Sequence, residues 1–363
     1  MNATVLEFDF PRQAHTPLDR IGFELGWDYA HHRVEPPAPY GDEASALREG
    51  LLAGRATFGL RTLAAPRPVR KWLQLRLHAW LRGRSVELFQ VTPNYLRQLE
   101  TSHCPITRVA LSVATLEASD ASIDRVRNDA GYAAGNLAVL SRQANHAKGA
   151  HDSTSALRMA LQADAATGCG DGDMRGVGGL TAPQWRRVAT LCSFVEPLAH
   201  SEAVARPLHV LPPNRLRLFN PVQALQALLS RQFLEPGWSQ RCARFEDLLK
   251  GKELKRDFKA FVIALLPRIL EGGRQMGPQL TRWAIEDAWA HALVQKRWNA
   301  FAGPLEPAEC EALVRMAAAR RLSTTRVESL APSLATDGWN LETRGYIAES
   351  RPDELPARRS AVH

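Results

Sequence analysis

No stretch of the 363-residue chain reaches the roughly 18 to 20 apolar, uncharged residues that a membrane-crossing helix needs, and the sequence predicts none. Cysteine is scarce. Its five copies, Cys104, Cys169, Cys192, Cys242 and Cys310, are scattered and form no CxxC pair, which argues against a disulfide framework and against a thiolate zinc site. The opening MNATVLEFDFPRQ has no basic start followed by a hydrophobic stretch, so no export signal is expected and the reading is a cytoplasmic chain in a reducing compartment. No fixed-period repeat is present either, which sets solenoids and propellers aside.

What is there suits a globular protein. Hydrophobic residues make up 45% of the chain and charged ones 23%, enough apolar material for a sizeable core in one large domain or two. Aromatics are few, at 7%, but nine of them are Trp. The formal net charge is +8, and it is uneven. Residues 1–66 carry 6 basic and 9 acidic side chains, whereas residues 67–148 carry 12 and 6. A basic central block suits a polyanionic partner, nucleic acid first, although such a run is commonly only a solvated face.

Periodicity gives a mainly α-helical organisation. Residues 1–41, rich in Pro and aromatics, read as an extended arm or irregular cap. Helical spacing then runs from Asp42 to about Phe58. Pro66 and Pro68 open a second helix at about 68–83, with Arg67, Arg70, Lys71, Arg82 and Arg84 at its ends. A third is expected at about 93–101. Residues 167–179, TGCGDGDMRGVGG, contain six glycines and have linker composition. The expected division is therefore an N-terminal helical region at 1–166, a linker at 167–180, an α-helical domain at 181–335 and a C-terminal tail at 336–363. In the third segment Thr181-Ala-Pro-Gln184 is a capping box and Asn220-Pro221 an N-cap followed by Pro. Further helices are expected at about 240–250, 253–270, 279–300 and 307–321. His31-His32 has no partner motif, and Asp171 and Asp173 lack the rest of a calcium loop.

Residues 103–148 differ from their surroundings. Ser122 to Val126 alternates like a strand, which puts Ser122 and Asp124 on one face and Ile123 and Arg125 on the other. Gly131 and Gly135 bracket a turn, and Asn136 to Leu140 returns as a second strand. Ser141 can cap a helix in which Asn145 and Lys148 share a face. A strand carboxylate and a helix amide oxygen can then converge, a plausible Mg²⁺ site because Mg²⁺ keeps most of its waters and takes few protein ligands. Such a site would lie at the surface and contribute little to the core.

Asp124-Arg125-Val126, Gly131-Tyr132, Gly135-Asn136 and Asn145-His-Ala-Lys148, with Cys-Pro-Ile-Thr at 104–107, resemble the HNH endonucleases of the ββα-metal (His-Me finger) superfamily, in a subgroup with Asp-Arg in place of Asp-His. The resemblance covers about 46 residues. It implies a small ββα-metal module at about 103–150 set in a helical protein. It implies, too, one Mg²⁺ or Mn²⁺ held by Asp124 and Asn145, with no organic cofactor. Asn136 would orient the hairpin loop or a catalytic group, and Lys148 would contact phosphate or pair with the hairpin. The catalytic set is then Asp124, Arg125, Asn136 and Asn145, and the nucleic-acid contacts are Lys148, Arg142, Arg70, Lys71 and Arg84. Arg125 stands where the family has its general-base His. A guanidinium stays protonated, so it cannot take a proton from water. Deprotonation would fall to metal-bound water or to a neighbour, with His103, His146 and His151 the nearest in sequence. Three readings follow: a metal-dependent endonuclease acting on DNA, or on RNA; a nucleic-acid-binding or regulatory protein that keeps the ββα fold without the chemistry; and a helical interaction protein in which the central fold is only structural.

Overall fold

The computed structural model describes residues 16–41, 45–167, 176–273 and 277–347. Among them the chain is mainly helical, with one two-stranded antiparallel sheet. None of the helices is long and apolar enough to cross a membrane. Two compact units emerge, 1–96 with 342–363 and 97–341. The division thus falls at 96/97 and 341/342, not at the Gly-rich segment, of which residues 168–175 lie outside the described residues.

The first unit is built on α1 (Pro17–His31), α2 (Ala46–Phe58) and α3 (Arg67–Leu81). α1 corrects the expectation of an irregular arm at 16–31; residues 1–15 lie outside the described residues. Thr16 caps it by accepting from Asp19 N at 3.2 Å, and the Asp19 carboxylate accepts in turn from Thr16 N at 3.3 Å. Pro17 fits the first turn, where its missing N–H is not needed. α1 and α2 cross almost backbone to backbone. A Cβ on Gly26 would stand 1.9 Å from the Leu47 carbonyl oxygen, and one on Gly50 would stand 1.9 Å from that of Phe23. Arg76, 3% exposed, pairs with Asp28 and lies 4.3 Å from the Trp72 ring centroid, so α3 is pinned to α1 by a buried charge pair.

The short α4 (Pro93–Leu99) leads into the second unit. There β1 (Ala121–Arg125) and β2 (Leu137–Ser141) pair antiparallel, with Ala121 opposite Ser141 and Asp124 opposite Ala138. Both strands agree with the sequence expectation to within a residue. The β-type run 109–113, by contrast, forms only isolated bridges at Ala110 and Ser112. α5 (Arg142–Lys148) follows β2 directly, capped by Ser141, whose Oγ accepts from Ala144 N at 3.2 Å.

The helices after it are α6 (Ser153–Thr167), α7 (Ala182–Ser193), α8 (His200–Ala205), α9 (Pro221–Arg231), α10 (Trp238–Glu246), α11 (Lys252–Gly273), α12 (Pro278–Ala288), α13 (Ala292–Ala302), α14 (Pro307–Ala319) and α15 (Pro332–Ala335). The Thr181 capping box is present, with Thr181 N donating to Gln184 Oε1 at 2.9 Å. Asn220 does precede α9, but its side chain ties α7 to α9 instead of capping, accepting from Leu198 N and donating to the Ser193 carbonyl, both at 3.0 Å.

The single helix expected at 279–300 is two. The chain turns at 289–291, which lets both Trp289 and Trp298 point into the core, their ring centroids 5.4 Å apart with Phe261 beside each. The hairpin has no core of its own: Val126, Leu140 and Ala144 belong to the same buried cluster as Trp185, Leu225 and Phe261. Burial of this continuous apolar surface is what holds strand, hairpin loop and helices in one body.

Candidate functional site

The alternation of β1 places Ser122 and Asp124 toward α5, and the helical spacing of Asn145 and Lys148 presents those two back to the strand. Two cross-links result. Asn145 Nδ2 donates to Ser122 Oγ at 2.6 Å. The Lys148 ammonium stands 3.0 Å from Asp124 Oδ2 and donates to the Arg125 carbonyl at 3.0 Å. The bond to the carbonyl is the better aligned of the two, since Oδ2 lacks a well-directed donor despite its proximity to the ammonium.

Asp124 is 6% exposed and Lys148 fully buried. This corrects the expectation of a surface site: the strand face that carries Asp124 is covered by α5 and continues into the core. Burial pushes the Asp124 carboxyl above the ordinary carboxylate range, opposed by the Lys148 ammonium and more weakly by Arg125.

Arg125 points to the other face, toward the loop between the strands. Its Nη1 donates to the carbonyls of Asn128 at 3.0 Å and Ala130 at 2.8 Å, and its Cζ is 5.2 Å from the Tyr132 ring centroid. Asn136, fully buried, closes the same loop. Its Oδ1 accepts from Arg127 N at 2.8 Å, and its Nδ2 donates to the carbonyls of Arg127 and Gly131, both at 3.1 Å. Arg142 is exposed and donates to the Leu116 carbonyl at 3.1 Å.

The remaining sequence candidates bond elsewhere. His103 Nδ1 is 2.9 Å from Ser102 Oγ and its ring meets Trp283 edge-on; His151 packs against Trp185; His146 is exposed. Arg70, Lys71 and Arg84 belong to the first compact unit. There Arg70 Nε donates to the Ala65 carbonyl at 3.0 Å, and Arg84 donates to the Arg344 carbonyl at 2.8 Å while lying 3.5 Å from the Tyr346 ring centroid. His31 stacks on Phe58, with centroids 4.2 Å apart.

Two residues far along the chain, Trp339 and Arg217, complete the hairpin loop, and no local signal in the sequence marks them. The Trp339 carbonyl accepts from Gly131 N at 2.8 Å, and its indole Nε1 donates to the Ala134 carbonyl at 3.1 Å. Arg217 N donates to the Gly135 carbonyl at 3.0 Å, and its side chain reaches the Ala335 carbonyl at 2.8 Å. Gly135 sits at φ +84, and a Cβ there would stand 2.2 Å from Arg217 Cγ, so this turn demands glycine twice over.

A divalent cation between Asp124 and Asn145 is what the resemblance implies, and the residues present do not fit it. Lys148 already neutralises the carboxylate. A doubly charged ion about 4 Å from that ammonium would meet roughly 8 kcal/mol of repulsion at an effective dielectric constant near 20. The Asn145 Nδ2 is held by Ser122, which leaves its Oδ1 as the one neutral donor beside the neutralised carboxylate, and among the described residues no group of three or more His, Cys, Asp and Glu is arranged to hold a metal. Comparison with protein-family models, with curated proteins and with solved structures gave no match.

Proposed function

We propose that β1, β2 and α5 form a ββα module of the HNH type that binds nucleic acid, DNA foremost, without cleaving it. One observation carries this reading: the polar groups of the motif are spent inside the fold. Asp124 faces the buried Lys148, Asn145 holds Ser122, and Arg125 and Asn136 hold the loop between the strands. A carboxylate that must bind metal and a guanidinium that must touch phosphate need open faces, and these have internal partners. The surplus of positive charge, +8 over the chain, supports a polyanionic partner.

One observation favours cleavage as a second reading. Asp124 Oδ2 is buried without a well-directed hydrogen-bond donor, the kind of unsatisfied ligand atom that a cation can complete.

Incubation of the full chain with supercoiled plasmid in Mg²⁺, Mn²⁺ or EDTA separates the two. The proposal expects equal, background nicking in all three, with duplex DNA retained on a filter at low salt and released steeply as salt rises. Nicking in metal that disappears in Asp124→Asn establishes the nuclease. Absence of salt-dependent retention removes nucleic acid as the partner.

A further inference from the structure

A second buried charge cluster lies outside the hairpin network, where the turn 104–109, α7, the segment 206–211 and α12 meet. The turn is closed by Arg108 N donating to the Cys104 carbonyl and Cys104 N donating to the Val109 carbonyl, both at 2.9 Å. It holds Arg108 at φ +63, a left-handed conformation that residues with a Cβ adopt unfavourably.

From there the Arg108 guanidinium grips Asp287 of α12, with Nη1 at 2.8 Å and Nη2 at 2.6 Å, and reaches Glu286 Oε2 at 3.3 Å. Its Nε is buried with no acceptor. Arg187 of α7 donates through Nη1 to the Ile106 carbonyl at 3.0 Å, while its Nη2 stands 3.7 Å from Asp287, beyond hydrogen-bond reach. Arg282 pairs with Glu286 at 3.1 Å and donates to the Leu211 carbonyl at 2.7 Å, and Arg186 pairs with Asp164. His209, in the segment 206–211 that meets α12, lies within electrostatic reach of Arg186, Arg187, Arg108 and Asp287. Burial and those three guanidinium groups hold its imidazole down to about 4.

The four arginines meet three carboxylates, Asp164, Glu286 and Asp287, which leaves one positive charge over. The cluster is not sealed. Arg108 is 16% exposed, Arg187 12% and Asp287 59%.

We propose that this junction is an oxyanion site that takes a phosphate group, supplied as free phosphate or as a phosphodiester. Arg108 Nε, which has no acceptor, and Arg187 Nη2, 3.7 Å from Asp287, offer donors from two different elements on either side of the same carboxylate. A planar carboxylate is served by one guanidinium fork, whereas donors from several sides suit a tetrahedral oxyanion. The surplus positive charge matches a singly charged phosphate, and protonation of His209 accommodates a second negative charge. Asp287, the most exposed of the carboxylates that face Arg108, occupies that guanidinium in the meantime and acts as a competitor. The inference stands apart from the reading of the hairpin, because inorganic phosphate alone tests it.

The test follows the His209 ring protons by NMR in the full chain, assigned with His209→Gln, during titration with inorganic phosphate against sodium chloride of equal ionic strength. The site predicts a saturable rise of at least one pH unit in the His209 titration midpoint with phosphate and not with chloride. Asp287→Asn should bind phosphate several-fold more tightly, and Arg108→Gln at least tenfold more weakly. A short DNA duplex that displaces phosphate from the parent, and that Arg108→Gln no longer binds there, identifies the phosphodiester as the source; phosphate binding that the duplex leaves untouched identifies the free anion. Equal responses to phosphate and chloride in both the parent and Asp287→Asn overturn the proposal. Asp287→Asn keeps the test decisive even where Arg108→Gln fails to fold, since Asp287 is exposed and its loss removes no core.

Discussion

The two buried charge clusters of the second unit differ in balance and in access. At the hairpin one ammonium meets one carboxylate, both sealed from solvent, and the guanidinium of Arg125 is spent on two carbonyls of the neighbouring loop. At the 104–109 turn the arginines outnumber the carboxylates, the buried Nε of Arg108 has no acceptor, and Asp287, which holds Arg108 and stands 3.7 Å from Arg187, is open to solvent. A sealed, balanced pair serves as a latch: strong to break, and worth little compared with a well-packed hydrophobic pair of the same volume. An unbalanced, accessible cluster retains electrostatic capacity for a ligand. The motif residues of the hairpin are thus the ones that the fold has consumed, and the cluster whose charged side chains no motif marks is the one with donors to spare.

The sharpest way to break this contrast is to remove one half of the latch. Asp124→Ala or Lys148→Ala should each destabilise the chain by about 3–5 kcal/mol, because each strands an uncompensated buried charge. The double change Asp124→Leu with Lys148→Met should recover most of that loss, since no charge remains to be solvated. Denaturant melts at pH 7 read both, and single changes of less than about 1 kcal/mol mean that the pair is solvated and the site open.

Next in size is Asn136→Ala. It leaves the amide of Arg127 and the carbonyls of Arg127 and Gly131 without their side-chain partner, for a loss of about 2–3 kcal/mol in the same melts. Trp339→Phe, which removes only the bond to the Ala134 carbonyl and part of a ring, should cost less, about 1–2 kcal/mol.

The last expected effect concerns pH and is confined to acid solution. Unfolded His209 takes up its proton at about 6.5 and folded His209 at about 4. Between those values the unfolded state binds more protons, so stability falls as pH drops from 6.5 toward 4. The parent should lose roughly 2–3 kcal/mol across that window through this group. His209→Gln should flatten the slope there and leave it unchanged above pH 7. An identical slope in both chains assigns the pH dependence to other groups.

Much of the local structure was legible in the sequence. Alternation over 122–126, the Gly-bracketed turn and the Ser141 cap placed the hairpin and α5 nearly to the residue, and correctly put Asp124, Ser122, Asn145 and Lys148 in facing positions. Periodicity could not say which of the four would pair. That choice depends on reach: Lys148 is long enough to cross to Asp124, whereas the Asn145 amide stops at Ser122. Nor could it say that the face under α5 would be sealed, because the core that the hairpin and α5 join is completed by helices far along the chain. α1 escaped notice because the Pro- and aromatic-rich composition of 1–41 masked a stripe of Leu18, Ile21, Leu25 and Tyr29 that is interrupted on the same side by Gly22 and Gly26. Both glycines carry no hydrophobic signal, yet the missing side chain of Gly26 is what lets α2 approach, and that of Gly22 makes room for Trp80 of α3. The turn at 289–291 was hidden for the opposite reason. The apolar spacing continues through it, and only the need to bury two indoles in one core breaks the helix. Trp339 and Arg217 are invisible to any local pattern, lying more than 80 residues from the loop that they hold.

The central claim is that Asp124 and Lys148 form an internal latch and not part of a cation site. Plasmid nicking by the parent and by the Asp124→Leu, Lys148→Met double variant, each in Mg²⁺, Mn²⁺ and EDTA, tests it directly. The account expects both proteins to fold, to retain duplex DNA with the same salt dependence and to nick no faster in metal than in EDTA. Metal-dependent nicking by the parent that is lost in a folded double variant would contradict it.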